Sequence, residues 1–196
     1  MVLSDFDLRA YIANGRLGIE PFHPETIREN GIDFRFTNVW KILKDTDKVF
    51  DLHNTPKNVD EFYEEMETDR FVLQRRQTVL AGTIEIIKMP ADIMGFCNLR
   101  STYARLGISI PPTIIDATWR GQLTISLTAT RYPVVLHTGD RFLHVIFARL
   151  TSPVQNPYAG KYQDQTGVAL PKPDPEYLKL LQKQNVQKLK NDFADE

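Results

Sequence analysis

Two arginines bracket a pair of small hydroxyl residues in Arg100-Ser101-Thr102-Tyr103-Ala104-Arg105. Guanidinium forks beside hydroxyls and the N–H groups of a turn suit an anionic, phosphorylated ligand. Sixteen residues after Arg100 stands Asp116, a carboxylate that ends the apolar run Ile114-Ile115 and precedes Trp119-Arg120-Gly121. Beyond that turn Leu123, Ile125 and Leu127 alternate with Thr124, Ser126 and Thr128. A period of two marks a strand with one packed and one polar face. The stretch 99–127 reads as strand, tight turn and strand, with cations at one end and a carboxylate at the corner.

The rest of the chain must hold this stretch in place. Ser4 with Asp7 forms a capping box, so a short helix starts at Asp5, buries Leu8, Tyr11 and Ile12, and stops at Asn14-Gly15. Strand-like segments follow at 19–22, 32–36, 71–73, 78–87, 134–136 and 141–147, broken by turns such as Pro90-Ala91-Asp92 and His137-Thr138-Gly139-Asp140. Short strands with regular turns point to an all-β sandwich of the jelly-roll type. Residues 41–70 are dense in charges of both signs and read as a surface insertion or a mobile lid. Asp174-Pro175 opens a C-terminal helix whose imperfect apolar stripe includes Tyr177, Leu178, Leu181 and Leu189. The expected division is one domain over 1–170 and a helical tail over 171–196, docking on its own or a neighbouring subunit.

Composition narrows the function classes. The 196 residues are 42% hydrophobic and 25% charged, ordinary for a soluble globular chain. A formal net charge of −1 supplies no global field for nucleic acid or an anionic membrane. A polyanionic ligand must be caught by a local basic cluster instead. The single cysteine, Cys97, excludes an internal disulfide, and no leader or membrane-spanning apolar run is evident, so a cytoplasmic protein is expected. His23, His53, His137 and His144 are scattered and read as structural or exposed.

The block 100–107 followed by Ile114-Ile115-Asp116-Ala117-Thr118-Trp119-Arg120-Gly121 resembles the core signature of the dCTP deaminase and dUTPase superfamily. In that family the first block holds the triphosphate and the second the deoxynucleoside. Gly139-Asp140-Arg141-Phe142 before Val145-Ile146-Phe147 resembles a further family block, with His144 where the family carries glutamine. Tyr158, Lys161 and Gln165 match a closing segment that meets the nucleotide in dCTP deaminases. The resemblance covers most of residues 1–170 and none of the tail.

It implies the distorted jelly roll of dUTPase-like proteins, with short N- and C-terminal helices, assembling as a homotrimer. Arg100, Ser101 and Thr102 would hold phosphates, and Arg105 would add charge against the transition state. Asp116 would contact the sugar 3′-hydroxyl and orient the attacking water. Trp119 would pack beneath the deoxyribose and exclude a 2′-hydroxyl. Thr124, Ile125 and Ser126 would line the base pocket. Asp33, in Gly31-Ile32-Asp33-Phe34-Arg35, matches a position that holds water ligands of magnesium in dUTPase relatives; a solvated strand aspartate is the plainer alternative. Mg2+ bridging the phosphates is therefore the expected cofactor.

One departure decides between reactions. In dCTP deaminases a glutamate follows the signature aspartate by ten residues, and here that position is Ser126. Deamination needs a group that takes a proton from water and returns it to the ring or the leaving amine. A serine hydroxyl without a base cannot do so, and the zinc-deaminase motifs are absent from the sequence. The chain is thus similar to the archaeal-type dUTPases within the dCTP deaminase family, which lack the glutamate. The expected reaction is hydrolysis of dUTP to dUMP and pyrophosphate, which limits uracil in DNA and supplies dUMP for thymidylate synthesis. The alternatives are a dCTP deaminase, or a bifunctional enzyme, with a substitute for the glutamate, and a non-catalytic deoxynucleotide-binding trimer.

Overall fold

Capping chemistry starts the chain in the expected way. In the computed structural model, which describes residues 1–52, 58–129, 131–172 and 179–180, helix α1 (Asp5–Ala13) begins at a capping box. The Asp7 N–H donates to the Ser4 hydroxyl, and Asp7 Oδ2 takes the Ser4 N–H at 3.2 Å. Leu8 and Tyr11 face the core, and Gly15, at φ 72°, ends the helix in the left-handed region.

The body is antiparallel β. After β1 (Gly18–Glu20) and β2 (Ile27–Arg28), the chain enters the long strand β3 (Gly31–Leu43). β4 (Tyr63–Glu67) and β5 (Arg70–Leu73) lead to β6 (Thr78–Lys88), then to β7 (Ile93–Leu99) and the short helix α2 (Ser101–Arg105). β8 (Thr113–Ile115), β9 (Arg120–Thr128), β10 (Val134–His137) and β11 (Arg141–Arg149) complete it. A nine-stranded sheet runs β1-β6-β3-β11-β7-β8, with β2 and β4 also on β3 and β9 also on β6, while β10 pairs with β5 separately. Register breaks between Phe36 and Trp40 in β3, and between Gly82 and Ile86 in β6, curl these long strands. Glu85 lies at the second break, buried, and accepts from Arg35 Nε at 2.6 Å and the Arg35 N–H at 3.0 Å.

Core aromatics fasten the layers. The Phe36 and Phe142 rings stack at 3.7 Å between centroids, and Trp40 stacks on Phe71 at 4.7 Å. The alternation read in β9 holds: Leu123, Ile125 and Leu127 are buried, while Gln122, Thr124, Ser126 and Thr128 are half-buried on the other face. Two features differ from the sequence reading. Part of the charged stretch 41–70 is sheet, since β4 pairs with the end of β3 from Val39↔Glu67 to Leu43↔Tyr63. The tight turn expected at the Asp116 corner lies between β8 and β9, but where the hydroxyls of Ser101 and Thr102 were expected at a turn, the chain forms α2, which closes at Gly107 with φ 80°. Of the expected helical tail only 171–172 and 179–180 lie among the described residues, and of its expected helix only 179–180. Among the described residues no helix is long and apolar enough to cross a membrane.

Candidate active site

The turn between β8 and β9 is built to present a carboxylate. Asp116 follows Ile115, is exposed, and accepts the Trp119 N–H at its carbonyl. Thr118 sits at φ 68°, a strained conformation for a β-branched residue. Its Oγ1 accepts the Tyr158 N–H at 2.6 Å and its carbonyl accepts Gln163 Nε2 at 3.2 Å. The strain is thus held by the segment that follows β11.

That segment is fastened along β9. Trp119 Nε1 donates to the Tyr162 carbonyl at 2.9 Å. Gln165 Nε2 donates to the Gln122 carbonyl at 2.6 Å, the Gly167 N–H to Gln122 Oε1 at 2.7 Å, and the Ala169 N–H to Thr124 Oγ1 at 2.9 Å. Gly121 makes this approach possible, because a Cβ there would lie 2.8 Å from the Gln165 carbonyl oxygen and 2.9 Å from the Trp119 ring.

Between β8, β9 and this segment opens a cleft of about 390 Å³. Of the residues read from sequence, Asp116, Trp119, Thr124, Tyr158 and Gln165 line it. Ile125 does not: it points into the core at 1% exposure. Ser126 lies next to the lining, paired across the ladder with Leu80, which is part of it. Lys161 is outside; its Nζ donates to the Lys172 carbonyl at 2.7 Å and sits 5.4 Å from the Tyr162 ring centroid. Tyr162, Leu170 and Pro171 also line the cleft and were not singled out from sequence. Tyr162 could have been found from its place inside the closing motif. Asp116 is the one carboxylate among the described residues lining the cleft.

The arginine block lies elsewhere. Arg100, Thr102 and Tyr103 border a hollow of about 310 Å³ with Asp140 and Arg141. Arg100 and Ser101 border another of about 250 Å³ with Arg28, Asn30, Asp33 and His144. Arg105 is exposed at the end of α2. Burial, aided by the Asp140 carboxylate, pushes the Tyr103 phenol up to about 12, so it stays neutral beside any phosphate. Burial likewise pushes the Cys97 thiol up to about 12, which leaves it inert. The β7–β8 ladder pairs Gly95 with Ile115 and Cys97 with Thr113. Arg100 therefore stands six residues, about 20 Å of strand, from the level of Asp116. The cleft and the arginine hollows share no lining residue.

Asp33 is neither solvated nor open to a metal. It is 1% exposed, with His144 Nδ1 2.9 Å from Oδ1, and Arg100 Nε 3.2 Å and Arg141 Nη1 3.8 Å from Oδ2. A carboxylate enclosed by two guanidiniums and an imidazole does not fit a divalent cation or its waters. Among the described residues no three His, Cys, Asp or Glu side chains gather where they could hold a metal ion. His144, read as scattered, is a working member of this cluster.

A family model described as dCTP deaminase-like matches residues 2–150. The chain is 47% identical over 182 residues to a protein of Sulfurisphaera tokodaii named dCTP deaminase, covering 92% of this chain and 97% of that one. It is also 47% identical over 174 residues to a probable deoxyuridine 5′-triphosphate nucleotidohydrolase of Sulfolobus islandicus rod-shaped virus 1, covering 89% and 100%. Among solved structures it resembles the 2′-deoxycytidine 5′-triphosphate deaminase of Agrobacterium tumefaciens at a TM-score of 0.61 and 20% identity. That likeness, which speaks to fold, covers 76% of this chain and 47% of that one, so the chain spans about half the length of that protein.

Proposed function

Since the chain belongs to the dCTP deaminase-like family, we propose that it acts on pyrimidine deoxynucleoside triphosphates, and that its reaction is hydrolysis of dUTP to dUMP and pyrophosphate. One observation carries the choice of reaction. The polar face of β9 bears Gln122, Thr124, Ser126 and Thr128, and no carboxylate. The β6 residues across from Thr124 and Ser126 are Gly82 and Leu80, which add none. Deamination would lack a proton-transfer group beside the base, whereas hydrolysis needs none there.

Hydrolysis asks for other parts. Attack of water on the α-phosphorus builds negative charge, which Arg100 and Arg105 offset while Ser101 and Thr102 hold phosphate oxygens. Asp116, exposed at the mouth of the cleft, orients the water near the sugar. Trp119, 6% exposed and tied to Tyr162, gives the deoxyribose a rigid floor. Because the arginine block and the cleft stand apart in one chain, we infer that a second copy brings its arginines to the first copy's cleft, in a homotrimer. A magnesium requirement would enter with the triphosphate and not through Asp33.

The second reading, dCTP deamination, has the broader support from relatives. Six proteins of 46–47% identity over 88–92% of this chain bear the name dCTP deaminase. Hydrolysis rests chiefly on Ser126. Incubation with dUTP, dCTP and UTP separately, with and without magnesium, separates the two readings. Release of dUMP and pyrophosphate from dUTP alone upholds hydrolysis; ammonia from dCTP replaces it with deamination. Saturable dUTP binding without turnover moves the protein to a binding role.

A further inference from the structure

We infer that Asp33 is a positioning residue for Arg100, with His144 as its brace, and not a holder of metal-bound water. The inference rests on the nucleotide reading above. Three adjacent strands bring the group together: Asp33 faces His144 across the β3–β11 ladder, and His144 faces Asn98 of β7, two residues before Arg100. Asp33 is 1% exposed, and a buried carboxylate is tolerated only where cations or donors enclose it. His144 supplies a donor to Oδ1 at 2.9 Å, and Arg100 Nε faces Oδ2 at 3.2 Å.

The guanidinium is gripped at a second point, since Arg100 Nη1 donates to the Arg141 carbonyl at 3.2 Å. Two of its three nitrogens are thereby tied to β3 and β11, and Nη2 is left for a ligand. A side chain fixed in this way loses less freedom when it meets phosphate. Oδ2 is fully buried yet accepts no well-aligned hydrogen bond, so a small rotation of Arg100 on ligand binding would complete one. His144 is itself wedged in place. A Cβ at Gly31 would lie 2.6 Å from His144 Nε2 and 2.4 Å from the Val145 carbonyl oxygen, so only glycine lets the imidazole lie against β3.

The test is calorimetric binding of inorganic pyrophosphate and, separately, of deoxyuridine to the full chain, in magnesium and in EDTA. Arg100→Ala and Asp33→Asn are each expected to weaken pyrophosphate about tenfold or more, by the same factor in both buffers, with deoxyuridine unaffected. His144→Ala is expected to weaken it about threefold, and His144→Asn to restore it, because the Asn amide nitrogen occupies the place of Nδ1. The His144 pair carries the test if Asp33→Asn does not fold. A loss seen only with magnesium would return Asp33 to the metal. Equal losses of pyrophosphate and deoxyuridine would reduce it to a structural residue. Loss in Arg100→Ala without loss in Asp33→Asn would sink the positioning role and leave the nucleotide reading standing. No loss in Arg100→Ala would sink both.

Discussion

Ser126 stands directly across the β6–β9 ladder from Leu80, and Leu80 forms part of the cleft wall. A carboxylate introduced at 126 would lie beside an apolar side chain on a half-buried face. Desolvation there raises a carboxyl toward neutral pH, where it can exchange protons. Ser126→Glu is therefore expected to release ammonia from dCTP about 10²-fold or more faster than the parent chain. An enzyme-coupled ammonia assay reads this directly. No gain would mean that the base does not sit against this part of β9.

Asp116 tests the other half of the chemistry. Asp116→Asn keeps the size of the side chain, removes its charge and turns one acceptor oxygen into an N–H donor. Its kcat for dUTP is expected to fall about 10²-fold or more, with dUTP affinity kept within about threefold. Rapid-quench turnover and calorimetric binding separate these quantities. A loss confined to binding would remove Asp116 from the reacting water.

Thr118 separates strain from hydrogen bonding. Thr118→Val keeps the unfavourable φ of 68° and removes the acceptor of the Tyr158 N–H, so stability is expected to drop by about 1–3 kcal/mol. Thr118→Gly loses the same acceptor and relieves the backbone, so its stability stays within about 1 kcal/mol of the parent. Both are expected to raise KM for dUTP, because the closing segment loses its first fastening. Urea unfolding with steady-state kinetics checks all three statements.

The acid limb of stability tests the anchor of α1. Burial alone would raise the Asp92 carboxyl, but the Tyr11 hydroxyl at 2.9 Å and Arg16 at 2.6 Å outweigh it and hold the group below the ordinary value of 3.8. A depressed folded-state value stabilises above the ordinary carboxylate range and is lost as pH falls through it. Asp92→Asn is expected to melt lower than the parent near neutral pH. The gap should close as pH falls below about 4. Melting curves across that range decide it, and a gap constant with pH would assign the effect to packing.

What the sequence made legible was local or periodic. The Ser4–Asp7 box, the inward set Leu123, Ile125 and Leu127, and the approach of Asp116, Trp119, Tyr158 and Gln165 to one cleft all follow from spacing or motif. The state of Asp33 was not legible. Its partner His144 lies 111 residues away, and nothing in either segment states the β3–β11 register that joins them. The direction of the Lys161 side chain was not legible for a similar reason, since a loop motif does not say whether it turns toward the cleft or back along its own segment to Lys172.

The distance between the arginine block and the cleft has a consequence for the lone chain. If each working centre borrows its arginines from a neighbour, a solitary subunit holds two halves of different machines and runs neither. Two inactive variants, Arg100→Ala and Asp116→Ala, would then rescue one another when unfolded and refolded together, because about a quarter of the junctions in random rings join an intact half to an intact half. Dilution would silence the protein without unfolding it, and turnover would serve as a direct count of assembled rings.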